Sequence, residues 1–141
     1  HFDKTSFYDT NEVLNILKDA QPDMIILAGF LWIFPKKIID YFPNKVINVH
    51  PALLPKYGGK GMYGHHVHEA VVKNKEKESG ITIHYVNEHY DEGAIIFQAK
   101  TSISEEDSAQ DVAKAIHQLE YKHFPVVIEE LLFPIEKNAE K

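Results

Sequence analysis

An amide, an imidazole and a carboxylate stand at segment ends in this chain. They are Asn48 and His50 in Asn48-Val49-His50-Pro51-Ala52-Leu53-Leu54-Pro55, and Asp91 in His89-Tyr90-Asp91-Glu92-Gly93. Side chains two apart on a strand share a face, so Asn48 and His50 point the same way. Pro51 biases His50 toward an extended backbone, which keeps the imidazole in register. A carboxamide N–H beside a protonated imidazole makes a donor pair for a developing oxyanion. A nearby Asp raises the imidazole pKa and can move protons through water, so His50 is expected to stay charged to higher pH than an isolated His. No Cys is present and no Ser is placed to attack, so the set suits acid/base and oxyanion chemistry without a covalent intermediate. The plainer reading is a capping Asn, a loop His and a turn Asp, since Asx residues are common in turns.

The elements that must hold these groups read as mixed α/β. Asp9 or Thr10 can cap a helix through Val13, Leu14 and Leu17, ended by Pro22. Asp23 to Ala28 is a short apolar run, as expected for a buried parallel strand, and Gly29 permits a turn. Pro35 fits the first turn of a second helix through Ile38, Ile39 and Tyr41, closed by Pro43. Val46 to Val49 is the next strand, and two strands separated by a helix imply a parallel crossover. A Gly/Pro-rich irregular segment runs from His50 to Tyr63, and long loops in compact domains are often functional. A helix is expected from about His66 to Asn74. Gly80 to Val86 and Ala94 to Ala99 read as strands joined by a turn centred on Asp91-Glu92-Gly93. Asp107 or Ser108 can cap a last helix carrying Val112, Ile116, Leu119, Phe124, Val127, Ile128 and Leu131, with Pro125 a possible kink and Pro134 beyond its end. The polar tail from Glu136 to Lys141 is expected to fray. Asn48 and His50 then lie at the carboxyl end of a parallel strand, the edge where open α/β sheets bind ligands.

Bulk composition narrows the class. With 141 residues, 44% hydrophobic and 26% charged, the chain suits one globular domain, residues 1–141. The absence of Cys excludes a disulfide framework, thiolate metal sites and thiol catalysis. Formal charge is −6 and all 15 basic residues are Lys, which disfavours polyanion binding through Arg forks. No apolar run reaches membrane-spanning length, and His1-Phe2-Asp3-Lys4 is no signal peptide. A cytoplasmic enzyme or small-ligand binder is expected.

Three blocks in one order carry a wider pattern: Ala28-Gly29-Phe30-Leu31, then Val46 through Tyr57, then Tyr90 through Gln98. The string Asn-x-His-Pro-x-Leu-Leu-Pro is specific, and His84, Tyr85, Asp91 and Gly93 keep matching spacing after it. Over about Asp23 to Leu132 the chain resembles the folate-dependent formyltransferases, most closely the branch that acts on glycinamide ribonucleotide in purine biosynthesis. The resemblance implies a Rossmann-like α/β fold, a mixed and mostly parallel sheet flanked by helices. It implies transfer of the formyl group of 10-formyltetrahydrofolate to the amine of glycinamide ribonucleotide, with no metal. Asn48 and His50 would polarise the formyl oxygen, and Asp91 would support protonated His50 and relay the amine proton. Phe30, Leu31, Trp32, Ile33 and Phe34, with Asn87, Glu88, His89 and Tyr90, would line the pteridine pocket. Glu120 would hold the amino end of the ribonucleotide. His84 would be a supporting hydrogen-bonder or a bland strand His. Lys60 would meet phosphate or the folate tail, against the plainer reading of a solvated loop Lys.

The chain also departs from the family pattern. The usual opening strand and Gly/Ser-rich phosphate loop do not occur in it, so it is expected to start after roughly the first third of a family member, with the N-terminal strand–helix unit missing. Trp32 stands where some members carry Arg. The loop from Gly58 to Gly64 is longer than in some relatives. His65, His68 and Glu69 can share a helix face and offer a zinc- or nickel-type ligand set, weighed against a polar helix start, with no metal as the expectation. Expected partners are the two small molecules, without nucleic acid or membrane, and a homodimer is left open. Alternatives are a formyltetrahydrofolate hydrolase using the same residues with water, or a non-catalytic folate- or metal-binding module. A formyltransferase acting on initiator tRNA should carry a basic extension, which an acidic chain without Arg argues against.

Overall fold

In a computed structural model, residues 1–134 are described. The tail from Glu136 onward lies outside them. A π-helical turn, Thr5–Asp9, leads into helix α1, Glu12–Ala20. Asn11 is the residue before α1, Thr10 Oγ1 accepts from the Glu12 amide at 3.3 Å, and Gln21 ends the helix in the left-handed region. Strand β1, Ile25–Leu27, is followed by α2, Lys36–Tyr41, entered directly after Pro35, and by β2, Val46–His50. Helix α3 covers His65–Lys73, β3 covers Glu78–Tyr85, β4 covers Ile95–Ser102 and α4 covers Ala109–Leu132. Ser108 caps α4 in a reciprocal box with Asp111, and Pro125 lies inside that helix.

The four strands are ordered β1-β2-β3-β4 in one sheet. The expected parallel crossover joins β1 to β2, pairing Leu27 with Asn48. The remaining two pairings are antiparallel, so the sheet is mixed, as expected, but among the described strands it is not mostly parallel. Between β3 and β4 the reason is connection length, since residues 86–94 are too few for a parallel crossover; β2 and β3 pair antiparallel across the longer segment that carries α3. The buried-strand reading of β1 is also modified. It lies at one side of the described sheet, and Ile26 is 43% exposed.

Alternation along β2 and β3 separates two chemistries. Val49, Ile81 and Ile83 point into a core shared with Ala52, Val67 and Val71 and covered by Val112, Ile116 and Val127 of α4. On the other face, Asn48 pairs with His84 and His50 with Thr82, and Thr82 pairs onward with Gln98. A second core of Val13, Leu14, Phe34, Ile38, Phe42 and Val46 fixes α1 and α2 against the β1 end of the sheet. The polar row is thus set between two packed regions, at the carboxyl end of β2.

Candidate active site

β2 delivers Asn48 and His50 from one face, as their spacing predicts, and Asp91 arrives from the β3–β4 connection. Gly93 makes that arrival possible: a Cβ there would sit inside the Tyr85 carbonyl, so only glycine lets the turn close this tightly. Asp91 itself has φ +55, a left-handed conformation that Asp tolerates better than most residues. Its Oδ1 lies 3.4 Å from His50 Nδ1 and 3.8 Å from His84 Nε2. Its Oδ2 accepts from the Gly59 amide at 2.9 Å. Asn48 Nδ2 is 3.1 Å from His84 Nε2. All four side chains therefore converge.

His50 is only 3% exposed, and its Nε2–H donates to the Tyr57 carbonyl at 2.7 Å. That leaves Nδ1 as the nitrogen facing Asp91 and the cavity. The loop following His50 is braced from beneath. Thr82 Oγ1 donates to the Ala52 carbonyl (2.7 Å) and accepts from the Leu54 amide (3.0 Å) and from Gln98 Nε2 (2.9 Å). Gln98 also donates to the Leu54 carbonyl at 3.0 Å, and the Leu54–Pro55 peptide is cis. Burial pushes the His50 pKa down, more than Asp91 and the Tyr57 carbonyl push it up, and His84 adds to the lowering. The expected rise is thus reversed: the desolvation of a closed site outweighs one carboxylate at 3.4 Å.

A cavity of about 690 Å³ opens in front of these groups. Asn48, His50 and Asp91 form one part of its wall, and Phe30, Leu31, Trp32 and Tyr90 another. Lys60 from the glycine-rich loop and Glu120 from α4 reach it too. Ile33, Asn87 and His89 lie instead on a narrower adjoining cleft. Phe34 lines the same cleft but is 4% exposed and belongs to the core. Glu88 lines neither space and faces His89 at 3.9 Å. Tyr90 Oη donates to the Leu31 carbonyl at 3.3 Å, tying together the two segments expected to hold a planar ring.

Two groups of this wall, Lys4 and His117, were not singled out by sequence, and His68 was read only as a metal-ligand candidate; all three line the cavity, and His117 stands one helical turn before Glu120. That spacing on α4 was readable; the approach of α3 to α4 was not. His68 is 3% exposed, with its pKa lowered by burial and then by His117, His65 and His50. Half-buried Glu120 has its pKa raised by burial, which His117 opposes. The set His65, His68 and Glu69 does not assemble, because His68 turns inward. His66 takes its place, and one ligand-type atom from each of His65, His66 and Glu69 lies within 4.8 Å of the others. Among the described residues no helix is long and apolar enough to cross a membrane.

Known proteins share this chain's sequence pattern and fold. A sequence model described as Formyl transferase covers residues 3–128. A phosphoribosylglycinamide formyltransferase of Arabidopsis thaliana, described as chloroplastic, is 39% identical over 118 residues, 84% of this chain and 40% of that protein. The crystal structure of phosphoribosylglycinamide formyltransferase from Bacillus halodurans superimposes with TM-score 0.79 at 32% identity, covering 92% of this chain and 64% of that one. A formyltetrahydrofolate deformylase from Pseudomonas syringae gives TM-score 0.78 at 26% identity, over 93% of this chain and 41% of its own. The chain spans less than two thirds of the length of the curated relatives it matches, from 40% and 50% in two cases to 59% in another. The mixed sheet with its flanking helices is the Rossmann-like formyltransferase fold. With more than half of its residues matched, the chain belongs to the formyl transferase family.

Proposed function

We propose that this chain carries the catalytic machinery for moving a formyl group from 10-formyltetrahydrofolate to the amine of glycinamide ribonucleotide. The observation that carries the reading is the convergence of Asn48, His50 and Asp91 on a cavity that Glu120 also lines. The amine adds to the formyl carbon, and negative charge develops on the formyl oxygen. Asn48 donates an N–H to that oxygen. Neutral His50, its lone pair at Nδ1, takes a proton there and becomes a second donor beside Asp91. The His50–Asp91 pair then returns a proton to the departing folate nitrogen. The new C–N bond forms, the old one breaks, and the amine proton ends on the leaving nitrogen. The amine is a good nucleophile, so this route needs no metal.

Aromatic Phe30, Trp32 and Tyr90 suit a planar heterocycle, with Leu31, Ile33, Phe34, Asn87, Glu88 and His89 completing the two segments around it. Glu120 is assigned to the amino end of the ribonucleotide and Lys60 to anionic groups at the cavity mouth. The test is formyl release by the intact protein with and without glycinamide ribonucleotide. Release only with the amine, and formyl recovered on it, supports the transferase. Formate release to water at equal rate overturns it in favour of a hydrolase, a reading that the likeness to a deformylase keeps as the runner-up.

A further inference from the structure

We propose that His84 is a positioning residue. Held as its neutral Nδ1–H tautomer, it fixes the Asn48 carboxamide with its nitrogen, not its oxygen, available to the cavity. The antiparallel register sets Asn48 directly opposite His84, so their side chains stand side by side on one face. His84 Nδ1 lies 2.9 Å from the Tyr85 carbonyl oxygen, which can only accept. Nδ1 therefore carries a proton. His84 Nε2 lies 3.1 Å from Asn48 Nδ2, which can only donate. Nε2 therefore offers a lone pair. One species of imidazole meets both conditions, the neutral Nδ1–H tautomer.

The charges around the ring favour the same state. Turning the amide over would present its oxygen to Nε2 and require an imidazolium at a site 2% exposed. His50 and His84 face the same carboxylate, Asp91 Oδ1, at 3.4 and 3.8 Å. At 3.8 Å the approach of His84 Nε2 to Asp91 is beyond hydrogen-bond distance, whereas Asn48 Nδ2 at 3.1 Å is within it. His84 is thus an acceptor for Asn48, not an ion-pair partner of Asp91. The consequence falls on the reaction. An unheld carboxamide presents nitrogen or oxygen to the cavity, and the oxygen repels a developing oxyanion. Held by His84, one N–H is occupied and the other stays free to donate.

The functional half of this inference rests on the oxyanion reading of Asn48; the tautomer stands independently. Nitrogen-15 NMR of the intact protein at neutral pH is expected to show His84 protonated at Nδ1 and bare at Nε2. An Nε2–H tautomer or an imidazolium overturns the proposal. Kinetically, His84→Phe removes both ring nitrogens while keeping the shape. It is expected to lower kcat on the order of tenfold or more, with KM changed less than about twofold. His84→Gln, whose carbonyl can replace the acceptor, is expected to recover part of the loss. In an Asn48→Ala background His84→Phe should cost little further, because its effect passes through Asn48. Equal losses in both backgrounds would mean a structural role and overturn the assignment. Near-normal kcat in Asn48→Ala alone would overturn the oxyanion reading, and with it the role in catalysis, while the NMR arm still decides the tautomer.

Discussion

The two proposed oxyanion donors differ in kind. Asn48 donates at any pH, whereas His50 donates toward the cavity only when Nδ1 is protonated, since Nε2–H is committed to Tyr57. Asn48→Ala and His50→Ala are each expected to lose about 2.7–4 kcal/mol of transition-state stabilisation, as for loss of one oxyanion-hole donor. The double variant should lose less than the sum, because the donors serve one oxygen. Near-normal turnover of either single variant would dismiss the pair. Asp91→Asn keeps the shape and removes the charge that pushes the His50 pKa up, so the His50 titration should move further below its ordinary range. NMR titration of the imidazole in both proteins checks this, and an unmoved midpoint would reduce Asp91 to a turn residue. At this scale the shared face of Asn48 and His50 was legible from spacing, whereas the place of Asp91 beside them was implied only by the resemblance. The direction of the His50 shift was not legible, because the burial that lowers it is set by tertiary packing and not by residue type or spacing.

Between residues and molecule stands the loop after β2, whose shape is set from the neighbouring strands. Thr82 is fully buried, and its hydroxyl serves Ala52, Leu54 and Gln98 together. Thr82→Val keeps the volume but strands a buried amide and a buried carbonyl, so it should cost about 1–3 kcal/mol per unsatisfied group. Urea unfolding measures that cost. The rate should also fall, because the Tyr57 carbonyl that orients His50 rides on this loop; Thr82→Ser should restore both. If Thr82→Val loses stability alone, the brace is not coupled to the site. The loop itself was legible as a Gly/Pro-rich interval, and the helix spacing through Val112 and Ile116 placed α4 correctly. Its brace was not legible: Thr82 and Gln98 read as ordinary polar positions until the β3–β4 register sets them side by side. The parallel bias expected for the sheet came from the resemblance, whereas the strand–helix–strand order read from the residues gave the one parallel pairing, β1 with β2, correctly.

For the whole molecule, buried titratable groups set how stability responds to acid. His50 and His68 both have pKa values lowered by burial, below about 6.5 for an exposed imidazole. Below that value the unfolded chain binds protons that the folded chain refuses. Their contribution is therefore intact above about 6.5 and is lost as pH falls toward the folded values. Glu120 works in the opposite sense. Its raised pKa means the folded state holds the proton longer, so its contribution is present below the ordinary value of 4.5 and is lost as pH rises through the folded value. Two histidines against one carboxyl, with the histidine window starting nearer neutrality, give a net loss on mild acidification. The urea midpoint is expected to fall between pH 7.5 and 5.5. His68→Leu replaces a buried imidazole, whose Nδ1 has no partner among the described residues, with an apolar side chain of similar size. It should flatten the pH dependence while leaving the midpoint at pH 7.5 unchanged or higher. Parallel profiles for the two proteins would show that His68 does not couple protons to folding, leaving His50 as the group to examine by the same measurement.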